Sequence, residues 1–282
     1  MSIYDIDMKF CNMSDRAKLL KVNLGELRKP EMIPLNKLAD QVCPSAEGTF
    51  TVIAAPASVG KTSFMQKALE VIENTNNEGY TSFDVRLALI NEREIEADKV
   101  IKKSRYSQLN YTTSGMGLGN RLIHLEEFLS AVDGAINSAS RGRKVVLFTD
   151  SVTRVYESLC VHHTVHSTEA GGVNSEAYQS LHELLGNLTG FYRGGGSLAV
   201  IGTALFTPET PNTAYTAVAN KLIGSSSNLI ILDPLVRKYP KISLLSESRV
   251  RDEIWTPIPH YWDFRAEIDR EIELVKSGRK EW

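Results

Sequence analysis

Four short apolar runs, rich in β-branched residues, recur along the chain with amphipathic segments between them. The runs span residues 49–55, 85–90, 145–149 and 198–202. Apolar runs of this length are typical of strands that are buried on both faces of a sheet. Strands that alternate with helices predict an α/β fold, in which a mostly parallel sheet carries helices on both faces.

The helices are predicted by apolar residues that recur every three or four positions. One such series follows the first run and consists of Met65, Ala68, Leu69 and Ile72. Two later series are Leu125, Phe128, Leu129, Val132 and Ile136, and then Tyr178, Leu181, Leu185, Leu188 and Tyr192. Residues 102–121 look irregular, and the apolar segments 229–232 and 242–245 predict a hairpin.

The two ends of the chain differ from its centre. The first 47 residues carry no long periodic element and are interrupted by Pro30, Pro34 and Pro44, which predicts a small N-terminal cap or arm. Residues 48–262 hold the alternating pattern and are predicted to form the core. A charged amphipathic segment with Ile268 and Ile272 predicts a C-terminal helical tail over residues 263–282.

The composition bears on the kind of partner that the chain can bind and on the compartment in which it is expected. The formal net charge of the 282 residues is -2, so any nucleic-acid contact is expected to be local, in a channel or loop. Cys11, Cys43 and Cys160 have no metal-type spacing and indicate a reducing compartment. No apolar run approaches the roughly 20 residues that span a bilayer. The chain is therefore expected to be cytosolic, without a membrane segment.

The first apolar run leads into a glycine-lysine-threonine loop. Residues 55–62 fit the pattern Gly-x-x-x-x-Gly-Lys-[Ser/Thr], except that Ala55 replaces the first glycine. Gly60 lets the backbone approach phosphate oxygens, Lys61 can reach the β- and γ-phosphates, and Thr62 offers a hydroxyl to Mg²⁺. A chance tripeptide is the alternative, but the buried strand before it and the helix after it favour a phosphate loop. The nucleotide-binding set predicted here is Ala57, Ser58, Val59, Gly60, Lys61, Thr62 and Ser63.

Carboxylates end two other predicted strands. Asp150 follows 145–149 and is predicted to hold Mg²⁺ together with Thr62, although it could instead cap the next turn. Ser151 follows it, so the base that activates water must lie elsewhere. Glu92, after the strand 85–90, is the predicted base, with Glu94 as second choice. The alternative is that both glutamates are solvated charges.

Several further side chains are weaker candidates. Thr203 or Thr207, at the end of the fourth run, could sense the γ-phosphate. Arg249 and Arg251 lie two residues apart beyond a strand, so that an extended backbone points both the same way, as candidate arginine fingers or plain surface charges. Tyr261 could stack on a base. The remaining candidates are Lys221 as a nucleic-acid contact, and His162, His163 and His166, whose spacing favours a solvated loop over a metal site.

These segments together resemble the hexameric RNA-packaging NTPases of the cystoviruses, the enveloped double-stranded RNA bacteriophages. The resemblance covers roughly residues 48–262 and depends on the order of its motifs. Besides the phosphate loop and the Asp-Ser pair at 150–151, the similar segments are 171–185, 219–227 and the hairpin that ends at Arg249 and Arg251.

The resemblance implies a RecA-like P-loop NTPase core and a ring of six subunits, with ATP or another NTP bound with Mg²⁺ between neighbours. Lys61, Thr62, Asp150 and Glu92 would act in cis, Arg249 and Arg251 would reach in from the next subunit, and Tyr261 would stack on the purine. Loops near 160–175 and 207–221 would line a central channel.

In that case the channel would move single-stranded RNA into a viral procapsid, as a helicase-like motor. The protein would be virion-associated, at the procapsid surface, after assembly in the bacterial host cytoplasm. Two other functions stay open. One is a RecA-like DNA helicase or recombinase, and the other is a nucleotide-dependent assembly scaffold with weak hydrolysis.

Overall fold

The computed structural model describes the elements of the core together with an N-terminal helix. The described residues are 3–21, 47–57, 60–62, 64–66, 68–69, 72, 83–103, 108–115, 121–162, 174–206, 214–232, 241–245 and 261–263. Among the predicted features, the following lie outside these residues: Ser58, Val59, Ser63, His163, His166, Thr207, Arg249, Arg251 and residues 264–282 of the tail.

The described helices and strands alternate along most of the chain. The helices are α1 (Ile3–Leu20), α2 (Glu94–Lys103), α3 (Arg121–Ser140), α4 (Val152–His162), α5 (Ser175–Leu188) and α6 (Ala214–Ser225). The phosphate-loop helix comprises helical residues 61–62, 64–66, 68–69 and 72. The strands are β1 (Phe50–Ala55), β2 (Phe83–Glu92), β3 (Leu109–Thr113), β4 (Lys144–Asp150), β5 (Gly190–Phe191), β6 (Ser197–Leu205), β7 (Asn228–Leu232), β8 (Lys241–Leu245) and β9 (Tyr261–Asp263).

The nine strands found in the described residues form one sheet. Its order is β3-β2-β4-β6-β1-β7-β8-β9, and β5 pairs with β6. All neighbours from β3 to β7 are parallel, whereas β8, β9 and β5 join antiparallel. The predicted mostly parallel sheet is confirmed. The predicted pairing of the last two apolar segments is also confirmed, because Leu229 pairs with Leu245 and Leu232 with Ile242.

Two apolar layers enclose the sheet, because alternate residues of each central strand face opposite sides. In β4, Val145 and Leu147 join the layer under α1, α3, α4, α5 and α6. Val146 and Phe148 join the layer under the phosphate-loop helix and α2. Burial on both faces explains why β1, β2, β4 and β6 read as continuous apolar runs.

The N-terminal segment differs from the prediction, because residues 3–20 form a helix of 18 residues. Its inner face has the helical spacing of Phe10, Met13, Ala17 and Leu20, which pack on the large core layer. The prediction of no long periodic element is wrong for this segment. Polar residues lie on the opposite face, so the helix gains most of its burial from α5 and α3.

One other segment has more structure than predicted. Residues 102–121 were expected to be irregular, but α2 continues to Lys103 and β3 runs from Leu109 to Thr113. Because β3 is an edge strand and Leu109 and Asn110 are only half-buried, it lacks an apolar run. Helix α4 fills residues 152–162. Within the described residues, no helix is both long and apolar enough to cross a bilayer.

Candidate nucleotide-binding site

A cavity of about 530 Å³ opens where β1, β2 and β4 end at the same edge of the sheet. Crevices at the carboxyl ends of parallel strands are the usual ligand sites of open α/β folds. The cavity combines anionic, cationic and hydroxyl side chains from the ends of β2 and β4 and from three helices, the phosphate-loop helix, α2 and α4. Its lining includes Ala57, Gly60, Lys61, Thr62, Gln66, Glu92, Arg93, Glu96, Asp150, Ser151, Thr153, Arg154, Glu157 and Leu205.

The phosphate loop turns into its helix at Gly60. This residue has φ of 106°, a conformation that favours glycine because a Cβ would strain the backbone. The carbonyl of Gly60 accepts the amide of Phe64, so the helix begins directly at the cavity. Amide groups of a first helical turn lack partners within the helix and favour an anion.

Ala55, which replaces the first glycine of the motif, is the last residue of β1. It is fully buried and packs in the layer under the phosphate-loop helix. Among the described residues, Asn91 alone has a positive φ without being glycine. Ala55 therefore has a negative φ, which any residue adopts. The alanine therefore costs the loop no backbone strain.

Lys61 bends back over its own loop. Its Nζ donates to the carbonyl oxygens of Ala55, at 3.1 Å, and of Pro56, at 2.7 Å. Burial lowers the pKa of Lys61 to about 8, and the charge of Asp150 opposes this shift. An anionic ligand in the cavity would restore the preference for the charged form, because it adds opposite charge beside a desolvated amine.

Asp150 is held by two threonine hydroxyls. Thr62 Oγ1 donates to Oδ2 of Asp150 at 2.7 Å, and Thr203 Oγ1 donates to Oδ1. The structure thus brings Asp150 and Thr62 together and places Thr203 beside them. Hydroxyl and carboxylate oxygens are the hard donors that Mg²⁺ takes when it keeps several waters, so Thr62 and Asp150 fit a magnesium ion.

Glu92 ends β2 inside the same cavity and is almost fully buried. Burial, a hydrogen bond with Glu96 and the charge of Asp150 together raise its pKa to about 7. The cation Arg154 and the amide of Arg93, which donates to Oε1 of Glu92 at 3.0 Å, act in the opposite direction. A carboxyl with a pKa near neutrality suits proton transfer.

Arg154 was not predicted from the sequence. Its Nη1 lies 2.9 Å from Oε2 of Glu92 and donates to the carbonyl of Asn91 at 2.5 Å. The signal was present, because the helical spacing of buried Val152, Val155, Tyr156 and Leu159 starts a helix directly after Asp150. Residue 154 is thereby placed within one turn of the carboxyl edge of β4.

Two further candidates, Tyr261 and Lys221, lie on other elements, β9 and α6. Strand pairing places Tyr261 opposite Ser243, Ser243 opposite Ile231, and Ile231 opposite Ala54. The backbone of Tyr261 is therefore level with the start of the phosphate loop, three strands away or roughly 14 Å. Lys221 does not line the cavity, and its Nζ lies 4.7 Å above the ring of Tyr178.

The chain is similar in sequence to bacterial transcription termination factors named Rho, while no protein-family model matches it. It is 23% identical to the factor from Streptobacillus moniliformis over 223 residues, which cover 78% of this chain and 51% of the relative. Identity to the factor from Gemmatimonas aurantiaca is 25% over 258 residues, 88% of this chain and 33% of the relative. Identity to Rho 1 of Ehrlichia chaffeensis is 27%, over 77% of this chain and 50% of the relative. The chain thus spans about half the length of these relatives or less.

One solved structure with a similar fold is described as a prototypical ATPase from the type III secretion system of pathogenic bacteria. The TM-score is 0.63 at 22% identity, and the match covers 83% of this chain and 67% of the other. With the sheet order and the strand–loop–helix at Gly60, this likeness shows that the chain has the fold of RecA-like P-loop nucleoside triphosphatases.

Proposed function

We propose that this chain hydrolyses ATP or another NTP with Mg²⁺ and uses the reaction to move single-stranded RNA. The observation that carries the hydrolytic part is the convergence of Lys61, Thr62, Asp150 and Glu92 on one cavity at the carboxyl edge of the sheet. Groups of these kinds bind a triphosphate tail, hold its metal and activate water, and here they end or follow three separate strands.

Each of these groups has one role in the proposed reaction. The loop amides and Lys61 bind the phosphates, with Lys61 leaving the carbonyls of Ala55 and Pro56. A magnesium ion, held by Thr62 and Asp150, would neutralise charge on the β- and γ-phosphates. Water attacks the γ-phosphorus and gives its proton to Glu92, while the bond to the bridging oxygen breaks and the diphosphate leaves.

RNA as the second substrate is supported by the relatives. They are named as factors that terminate transcription, a process whose product is RNA, and their similarity covers most of this chain. The narrower proposal is a homo-hexameric motor that packages single-stranded RNA into a cystoviral procapsid. It is supported by the resemblance over residues 48–262. In it, Arg249 and Arg251 complete the neighbour's site and Tyr261 stacks on the purine.

The test is a steady-state NTPase assay of the wild type, Lys61→Ala and Glu92→Gln, without nucleic acid, with poly-RNA and with single-stranded DNA. Lys61→Ala should abolish turnover. Glu92→Gln should lower kcat by about 10²–10⁴ and leave nucleotide binding in place, because a general base contributes on that order. RNA should stimulate the wild type more than DNA does.

Other outcomes assign other functions. Equal stimulation by RNA and DNA, or stimulation by DNA alone, would favour a DNA helicase or recombinase, because the 2′-hydroxyl separates RNA from DNA binders. Nucleotide binding that orders an assembly, with turnover unaffected by Glu92→Gln, would favour a scaffold. Absence of nucleotide binding in the presence of magnesium would overturn the proposal as a whole.

A further inference from the structure

Strand β2 departs from regular geometry immediately before Glu92. Leu89 is paired with Tyr111 of β3, and Glu92 with Thr113, so that two residues of β2 lie opposite the single residue Thr112. This two-against-one pairing is a β-bulge. Asn91, within the bulge, has φ of 54°. Among non-glycine residues, asparagine is one of the few that enter this left-handed region readily.

The bulge changes the face on which residue 92 lies. Leu87 and Leu89 face the layer under the phosphate-loop helix, whereas Ala88 and Ile90 face the opposite layer. Strict alternation would place residue 92 with Ala88 and Ile90, since a shift of one residue reverses every side chain. Asp150 is paired with Leu89 and therefore lies on the face of Leu89. The extra residue turns Glu92 towards the cavity that Asp150 also lines.

Side chains, rather than the strand ladder, hold the peptide groups of Asn91. Its amide donates to Oγ1 of Thr112 at 2.8 Å, and its carbonyl accepts from Arg154. The ladder resumes one residue later, where Ser114 donates its amide to the carbonyl of Glu92 at 2.8 Å. The conformation of Asn91 therefore depends on Thr112 and Arg154.

Thr112 is in turn fixed by a buried histidine of α3. Nδ1 of His124 lies 2.8 Å from Oγ1 of Thr112, and both residues are almost fully buried. A threonine hydroxyl has one proton and two lone pairs, so it can accept from Asn91 and still bond His124 in either tautomer. Replacing the hydroxyl with a methyl group would leave the amide of Asn91 without its acceptor and would so disfavour this conformation of the bulge.

We propose that Thr112 and His124 are positioning residues for the NTPase reaction. They hold the bulge at Asn91 in the left-handed conformation that turns the Glu92 carboxylate towards the γ-phosphate. Neither residue lines the cavity, so both act through Asn91 and not on the substrate. This inference rests on the proposed function, in which Glu92 accepts the proton of the attacking water.

The experiment pairs a disruptive with a conservative substitution at each position. Thr112→Val removes the hydroxyl and Thr112→Ser keeps it, while His124→Leu removes the ring nitrogen and His124→Asn keeps a polar atom near Nδ1. For Thr112→Val and His124→Leu, kcat should fall about tenfold to a hundredfold, because small misplacements of a reacting group have effects of this size. The nucleotide Kd should stay within twofold, because Lys61 and the loop follow β1, which is three strands away from β2 in the sheet. Thr112→Ser and His124→Asn should recover most of the loss in kcat.

Val132→Ala is the matched control, because Val132 is buried on the same helix two turns beyond His124. It should lower the melting temperature with little change in kcat. Wild-type kcat in both disruptive variants would overturn the proposal, and so would an equal loss in Val132→Ala. If Thr112→Val does not fold, the His124 pair decides. Glu92→Gln with wild-type turnover would instead refute the role of Glu92, and with it the proposed mechanism.

Discussion

At the scale of single residues, the site is governed by one carboxyl whose charge is finely balanced. Burial, Glu96 and Asp150 favour the protonated form of Glu92, and Arg154 favours the charged form. The result is a pKa of about 7, where the group can accept a proton and release it again at neutral pH. Lys61 has a pKa of about 8 for the related reason of desolvation.

These two groups predict a bell-shaped pH dependence of kcat/KM for the free enzyme. Glu92 must be deprotonated to accept a proton, so kcat/KM should rise as pH increases through about 7. Lys61 must be protonated to bind phosphate, so kcat/KM should fall as pH increases through about 8. Removal of the cation in Arg154→Gln should move the acidic limb to higher pH. NTPase rates between pH 5.5 and 9.5 measure both limbs.

The substrate has ionisable groups of its own, but they contribute equally to the pH profiles of the wild type and of Arg154→Gln. A difference between the two profiles therefore comes from the protein. An acidic limb that stays in place in Arg154→Gln would mean that Arg154 does not set the charge of Glu92. A limb that moves to lower pH would contradict the sign of the ion pair at 2.9 Å.

At the scale of elements, α1 is the largest addition to the predicted core. Phe10 is 1% exposed, and its ring stacks on Phe128 of α3 with centroids 6.2 Å apart. On the same helix, Met8 is 62% exposed. Helix α1 is thus attached through one face, and its stability depends on a few buried side chains.

Phe10→Ala should therefore destabilise the protein by about 3 kcal/mol or more, because it leaves a cavity between α1 and α3. Met8→Ala should change the free energy of unfolding by less than about 0.5 kcal/mol, as is usual for exposed positions. Urea unfolding followed by circular dichroism measures both. Similar midpoints for the two variants would show that α1 does not contribute to the cooperative core.

At the scale of the whole molecule, each active site of the proposed ring takes its residues from two neighbouring subunits. Every cavity residue described here comes from one chain, and Arg249 and Arg251 are predicted to enter from the next. Arginine fingers supplied in trans contribute about 10³–10⁵ in rate. Subunit mixing can therefore separate the two halves of the site.

Arg251→Ala and Glu92→Gln should each be nearly inactive alone, and a mixture of the two should regain activity. In a mixed ring, some interfaces pair an intact Glu92 with an intact Arg251. Mixtures in several ratios, with the mass of the particle measured by size exclusion and light scattering, provide the readout. Activity that never exceeds the sum of the two variants, or a monomer under all nucleotide conditions, would contradict the intersubunit site.

The amino-acid pattern alone determined the central strands of the sheet and the phosphate loop. Strands β1, β2, β4 and β6 are buried on both faces, so their apolar runs can be recognised without any partner. The loop could be recognised because Gly60, Lys61 and Thr62 lie between such a strand and a helical periodicity. Asp150 followed from the same logic, since parallel strands end at a common edge.

Tertiary structure alone decided the rest. Helix α1 and edge strand β3 are half polar, so their burial depends on neighbours that the local pattern does not reveal. The orientation of Glu92 is a stronger case, because strict alternation along β2 would place its side chain on the face of Ala88 and Ile90, away from the cavity. Thr112, His124 and Arg154, from β3, α3 and α4, hold the bulge that reverses this orientation. Contacts among residues 12 to 63 positions apart in sequence leave no periodic signal, and only the folded chain brings them together.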